Sequence, residues 1–159
     1  MTPEERGALM VRYRDGAAEF RSAMAGVEDG ELDQRPLEGE WTVREIAHHL
    51  ADSELNSAVR LRRLIAEDEP VLQGYDEMEF VRRLHVTTRP IGSSIDAAEA
   101  ARASTLTILE ALTDHEWNRT GTHADQGPYS VEEWLRDYAD HPWDHAEQAR
   151  RVLAALRAS

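Results

Sequence analysis

Apolar residues return at intervals of three and four along four long stretches of the chain, with polar residues between them. That spacing marks helices with one buried face. The first stretch, residues 3–24, aligns Met10, Tyr13, Ala17, Phe20 and Met24. The second, residues 42–70, carries Val43, Ile46, Ala47 and Leu50, then Ala58, Leu61, Leu64 and Ile65. The third, residues 94–112, carries Ile95, Ala98, Ala101, Leu106 and Leu109. The fourth, residues 130–158, carries Val131, Trp134, Leu135 and Tyr138, then Ala149, Val152, Leu153 and Leu156. Thr2 with Glu5, Thr42 with Glu45 and Ser130 with Glu133 are Ser/Thr-x-x-Glu capping boxes that start three of these helices.

The connections carry turn signals. Residues 26–41 contain Gly30, Pro36 and Gly39 and are read as a loop with one short turn. Residues 77–85 form a short helical piece, and Pro90 and Gly92 mark a break. Residues 113–129, with Gly121, Gly127 and Pro128, are read as connecting chain with one possible helical turn at Thr113-Asp114. No stretch alternates like a strand, and there is no internal repeat. The expected fold is all-α: one domain, residues 1–159, a four-helix bundle with long crossover connections and short extra helices. The links after the first and second helices leave room for a crossover.

The chemistry concentrates on histidine. His141 and His145 are four residues apart on the last helix and share one face. That face continues the stripe of Trp134 and Tyr138. Imidazoles turned toward a bundle interior require hydrogen-bond partners or a metal. His49 is the best third ligand, beside the apolar stripe of the second helix. His48 is rotated from it by about 100° and faces elsewhere. Three neutral imidazoles would leave coordination positions open to water or substrate. An i, i+4 pair of histidines equally fits core histidines bonded to acids, or exposed residues on an acidic helix. Asp52 is placed to orient His49, and Gln148 to line the pocket or hold a ligand's second nitrogen. Asp144 and Glu147 fall on the opposite face. Tyr138 is a substrate-positioning candidate or plain core packing. Trp143 is a pocket wall or an interface residue. Pro142, between the paired histidines, lacks the N–H that would bond Tyr138 and should kink the helix, at about 3 kcal/mol.

Charge removes several function classes. The 159 residues hold 31 acidic and 18 basic side chains, a formal net charge of −13. Nucleic acid needs a positive footprint, and an anionic membrane surface is disfavoured for the same reason. There is no cysteine, hence no disulfide, thiolate ligand or cysteine nucleophile. The start has no signal-peptide pattern and no run spans a membrane, so a cytoplasmic location is expected.

The segment WTVREIAHHLADSE, residues 41–54, resembles the first signature of the DinB-like superfamily, in which a histidine immediately precedes a leucine. HPWDHAEQ, residues 141–148, resembles its C-terminal signature. EDEPVLQGYDEMEFV and SVEEWLRDYADH look like the YfiT-type branch. The resemblance implies a four-helix bundle of unusual crossover topology, often a homodimer. It implies a divalent metal, zinc or nickel first, on His49, His141 and His145. It implies thiol S-transfer with bacillithiol, mycothiol or glutathione, or metal-dependent hydrolysis. Pro142 departs from the family pattern. The lysine-free, arginine-rich composition suits a high-GC bacterium and points to mycothiol. The expected function is metal-dependent S-transfer from a low-molecular-weight thiol to a small electrophile, with Asp52, Tyr138 and Gln148 assisting. A hydrolase of a small ester or amide and a non-catalytic metal-binding protein are the alternatives.

Overall fold

The computed structural model describes residues 1–158. Four long helices form the bundle: α1 (Pro3–Ala23), α2 (Val43–Ala66), α4 (Ile91–Leu109) and α6 (Val131–Arg157). Two short helices, α3 (Glu77–Arg83) and α5 (Asp114–Trp117), lie in the connections. The capping boxes at Thr2, Thr42 and Ser130 all form, each hydroxyl accepting from the backbone N–H three residues on.

α1 packs against α6 and α4, and α2 packs against α4 and α6. Consecutive helices α1 and α2 are therefore diagonal, and so are α4 and α6. The crossovers are the links after α1 and after α4. The link after α2 joins neighbours, which differs from the expectation.

Two further differences concern the connections. A three-stranded sheet occupies residues taken for loop: β1 (Val71–Leu72), β2 (Thr120–His123) and β3 (Gly127–Ser130). β1 runs parallel to β2, pairing Leu72 with His123, and β2–β3 is an antiparallel hairpin pairing Gly121 with Tyr129. Strands of two to four residues are too short to show a period in sequence. Gly121 permits the contact, because a Cβ there would stand 2.6 Å from the Pro70 carbonyl oxygen. The third long helix begins at Ile91, directly after Pro90, so Gly92 lies inside its first turn instead of marking a break.

The core has two apolar halves with a polar waist. One half contains Phe20, Ile46, Leu50, Ile95, Ala98, Ala146 and Val152. The other contains Tyr13, Leu61, Leu64, Leu109, Trp134, Leu135 and Ala139. Between them α2 contributes Ser53, Glu54 and Ser57, and α4 contributes Arg102 and Thr105, all buried. On α4 the buried stripe is Ile95, Ala98, Arg102, Thr105 and Leu109, not one running through Ala101.

Arg102 (2 % exposed) binds Glu54 (0 % exposed) at 2.5 Å. It also donates to the backbone oxygens of Tyr13, at 2.7 and 3.1 Å, and Tyr138, at 3.1 Å. Tyr138 is the residue whose helical partner would be the N–H that Pro142 lacks. Arg102 thus satisfies the carbonyl that the proline leaves open, and α6 runs unbroken from Val131 to Arg157. Gly16 makes room on α1, since a Cβ there would lie 3.2 Å from both Pro142 Cγ and Trp143 Nε1. Trp143 faces this seam and donates to Arg12 O at 3.1 Å. It does not line the cleft beside the histidines.

Candidate metal centre

His49 on α2 converges with His141 and His145 on α6. One nitrogen from each ring lies within 4.8 Å of the other two. His49 is buried on the face of α2 that carries Ile46 and Leu50. One turn separates His141 from His145, and their Nε2 atoms are 3.1 Å apart. His48 points elsewhere: its nitrogens meet Ser94 Oγ at 2.7 Å and Arg89 O at 3.2 Å, so it is a satisfied core histidine.

The hydrogen bonds fix the tautomer of His145. Glu40 Oε2 can only accept, so the Gln148 group 3.0 Å away is its amide nitrogen. The Gln148 oxygen then faces His145 Nδ1 at 2.9 Å, and that nitrogen carries the hydrogen. Nε2 of His145 is left with a lone pair aimed at His141 Nε2. Arg151 anchors the far end of the chain on Glu40 at 2.6 Å. On His141, the buried Nδ1 has no hydrogen-bond partner, and neither does Glu54 Oε2. Glu54 Oε1 is 3.9 Å from that Nδ1. With its hydrogen on Nε2, His141 donates to the His145 lone pair; with the hydrogen on Nδ1, on the Glu54 side, two Nε2 lone pairs face each other.

In the second arrangement a cation between the two Nε2 atoms would satisfy both lone pairs. Two imidazoles on one tetrahedral zinc, with Zn–N about 2.0–2.1 Å, stand about 3.3 Å apart, close to the spacing here. The residues therefore fit a divalent metal, with Gln148 and Glu54 positioned to hold the outer nitrogens of two ligands. Gln148→Leu is expected to lower zinc affinity about 10–100-fold, measured by competition with a chelating dye. An unchanged affinity would remove Gln148 from this role.

Asp52 does not take the part expected of it. Burial raises its carboxyl pKa, but no hydrogen bond joins that carboxylate to His49 among the described residues. The acid beside a ligand ring is Glu54, two residues on, and the ring is that of His141. Trp41 stacks on the trio instead, edge-on to His49 at 4.5 Å and parallel to His145 at 6.3 Å between ring centres.

Burial pushes the His49 pKa down to about 3, with His145 and His141 adding smaller repulsions. Burial also lowers His145 to about 4, with His141 the next cause. Both rings are neutral at pH 7. Unfolded, each takes up a proton as the pH falls through about 6.5; folded, they resist until about 4 and 3. In that window the unfolded chain binds more protons, so stability falls with pH. The Tm of the metal-free protein should hold above about pH 7 and decline from about pH 6.5 to 4. His49→Gln should flatten that decline; equal slopes in the two proteins would contradict the assignment.

His141 also lines a cleft of about 390 Å³ shared with Ser53, Arg60, Tyr75, His123, Asp137 and Tyr138. The sheet places His123 there, at the end of β2. Arg60 donates to the Tyr138 hydroxyl at 2.8 Å, and the ring of Tyr138 lies 6.0 Å from that of His141. Burial raises the Tyr138 pKa, so this phenol keeps its proton at neutral pH.

A family profile described as the DinB superfamily matches residues 12–149. The chain belongs to the DinB superfamily. Among its DinB relatives, a Bacillus subtilis protein, YfiT, is 31% identical over 157 residues, 96% of this chain and 88% of its own. An Oceanobacillus iheyensis relative, OB0782, is 33% identical over 126 residues, 79% of this chain and 73% of its own. Both are named "putative metal-dependent hydrolase". The solved YfiT structure, described as a four-helix bundle of unusual topology, superposes with a TM-score of 0.91 at 25% identity, over 98% of this chain and 90% of that one. A mutant of a mycothiol-dependent maleylpyruvate isomerase shares the fold at 16% identity, with a TM-score of 0.73 over 94% of this chain and 61% of its own. Among the described residues no helix of this DinB protein is long and apolar enough to cross a membrane.

Proposed function

We propose that the protein is a metal-dependent enzyme that renders the sulfur of a small thiol nucleophilic and transfers it to a small electrophile. The observation that carries this reading is the convergence of three imidazole nitrogens beside a polar cleft of small-molecule size. A divalent ion on His49, His141 and His145 would supply Lewis acidity, which stabilises a thiolate or a hydroxide at neutral pH. The remaining tasks fall to the chain. Gln148 keeps the His145 lone pair turned inward. Glu54 stands ready to accept from His141 Nδ1. Trp41 covers His49 and His145 and keeps water from that flank. Tyr138 accepts from Arg60 and has its own hydrogen free for an oxygen of the guest. With no cysteine in the chain, the sulfur comes from the cosubstrate, and mycothiol is the first to try.

The second reading is hydrolysis of a small ester or amide, which the names of the relatives favour. It requires a general base for water and an acid for the leaving group. Glu54 Oε1 binds Arg102 at 2.5 Å while its Oε2 is without a partner among the described residues, and Asp137 accepts from Tyr129 at 2.6 Å. Thiol transfer makes smaller demands on such groups, and that ranks it first. The test combines metal analysis of tag-free protein with turnover of electrophiles and esters, with and without mycothiol. About one metal per chain and thiol-dependent turnover support transfer. Thiol-independent ester cleavage overturns it in favour of hydrolysis. Failure to take up zinc, nickel or cobalt overturns both.

A further inference from the structure

The cleft has a chemical polarity of its own. Its floor is a cluster of donors. Arg60 directs Nε and one Nη2 hydrogen at Gln73 O, at 3.1 and 2.7 Å, and one Nη1 hydrogen at Tyr138 Oη. A guanidinium has five N–H groups, so one remains on each terminal nitrogen. No carboxylate pairs with Arg60 among the described residues, although the chain carries a large acidic excess. His123 accepts from the backbone N–H of Asp125 at 3.3 Å through Nδ1, which puts its hydrogen on Nε2. His123 is buried and lines the same cleft, as do the hydroxyls of Ser53, Tyr75 and Tyr138. Three acids line the cleft as well, all of them exposed. Asp137 is held by Tyr129, and Asp125 and Glu77 are exposed at the rim.

We propose that this floor is a carboxylate subsite centred on Arg60, so that one of the two molecules brought to the histidines is a small carboxylic acid. The proposal deepens the reading above and rests on it for the reacting centre. The planar fork of an arginine matches a carboxylate in geometry as well as in charge. Tyr138 and His123 offer further donors to the same group. The carboxylates of Glu77 and Asp125 at the rim disfavour a polyanionic guest. Arg60 touches Tyr138, whose ring neighbours that of His141, so the subsite lies within one small molecule's length of the trio.

The test uses cobalt-loaded protein, in which thiolate bound to cobalt gives a near-ultraviolet charge-transfer band. 3-Mercaptopropionate is titrated against its neutral counterpart, 3-mercaptopropionamide. The acid should bind about tenfold or more tighter than the amide, the scale of a charge-assisted hydrogen-bonded pair. Arg60→Gln should abolish that preference, and Arg60→Lys should restore part of it. Equal affinities in the wild type, or a preference that survives in Arg60→Gln, overturn the subsite. Absence of a band with either thiol is a failure of the metal–thiol reading alone. In that case propanoate is followed on the metal-free protein by saturation-transfer NMR. A signal lost in Arg60→Gln and kept in His145→Ala supports the subsite; no signal, or one indifferent to Arg60, overturns it.

Discussion

Arg102→Met should lower the stability of the protein by about 3–5 kcal/mol, the loss typical of breaking a buried ion pair from one side. For a chain of this length that is a drop in Tm of roughly 6–20 °C. The size of the effect follows from what the guanidinium leaves behind. Glu54 would be a buried carboxylate with no counter-charge, and the carbonyls of Tyr13 and Tyr138 would lose a donor deep in the bundle. Adding Pro142→Ala tests the second part. Residue 142 would then have an N–H for the Tyr138 carbonyl, and Arg102→Met/Pro142→Ala should lose less than the sum of the single variants by about 1 kcal/mol. Urea denaturation of the four proteins measures the coupling. Strict additivity would mean that the arginine and the proline act independently.

His49→Ala should weaken zinc binding by on the order of 100-fold or more, beyond the 10–100-fold expected for an outer partner such as Gln148. His49 makes no hydrogen bond among the described residues, and its close neighbours are Trp41, His141 and His145. A buried imidazole with both nitrogens unengaged has little structural reason to be there. His48→Gln is the control, since that ring is already committed to Ser94 and Arg89 and its loss should leave zinc affinity unchanged. Isothermal titration reads both variants. Undiminished affinity in His49→Ala would sink the trio.

The long helices were legible in sequence because length and periodicity reinforce each other. Thr42 with Glu45, and Ser130 with Glu133, placed two N-termini to within a residue. The distinction between His48 and His49 was also legible, as a rotation of one residue about the axis of α2. The short sheet was not, because pairing between residues 71–72 and 120–130 is non-local. Arg102 was missed for a different reason. A stripe defined by apolarity skips an arginine by construction, so Ala101 stood in its place. Glu54 was hidden in the same way, although it falls on the same stripe as Leu50, Ser57 and Leu61. A charged residue at a core position of each of two helices was the available signal. The spacing of Gln148 from His145 allowed the hydrogen bond that the structure contains, whereas the spacing of Asp52 from His49 corresponds to no hydrogen bond among the described residues.

The short sheet bears on how such a protein diversifies. The three histidines ride on the two helices that also hold the core, so few changes there are tolerated. His123 and Tyr75, opposite them, belong to β2 and to the segment that follows β1, and insertions or exchanges in such surface connections disturb the bundle little. A lineage can therefore rewrite the lining of the cleft by editing two surface segments while the histidine trio passes down intact. Grafting those segments between relatives is a direct route to altered substrate preference.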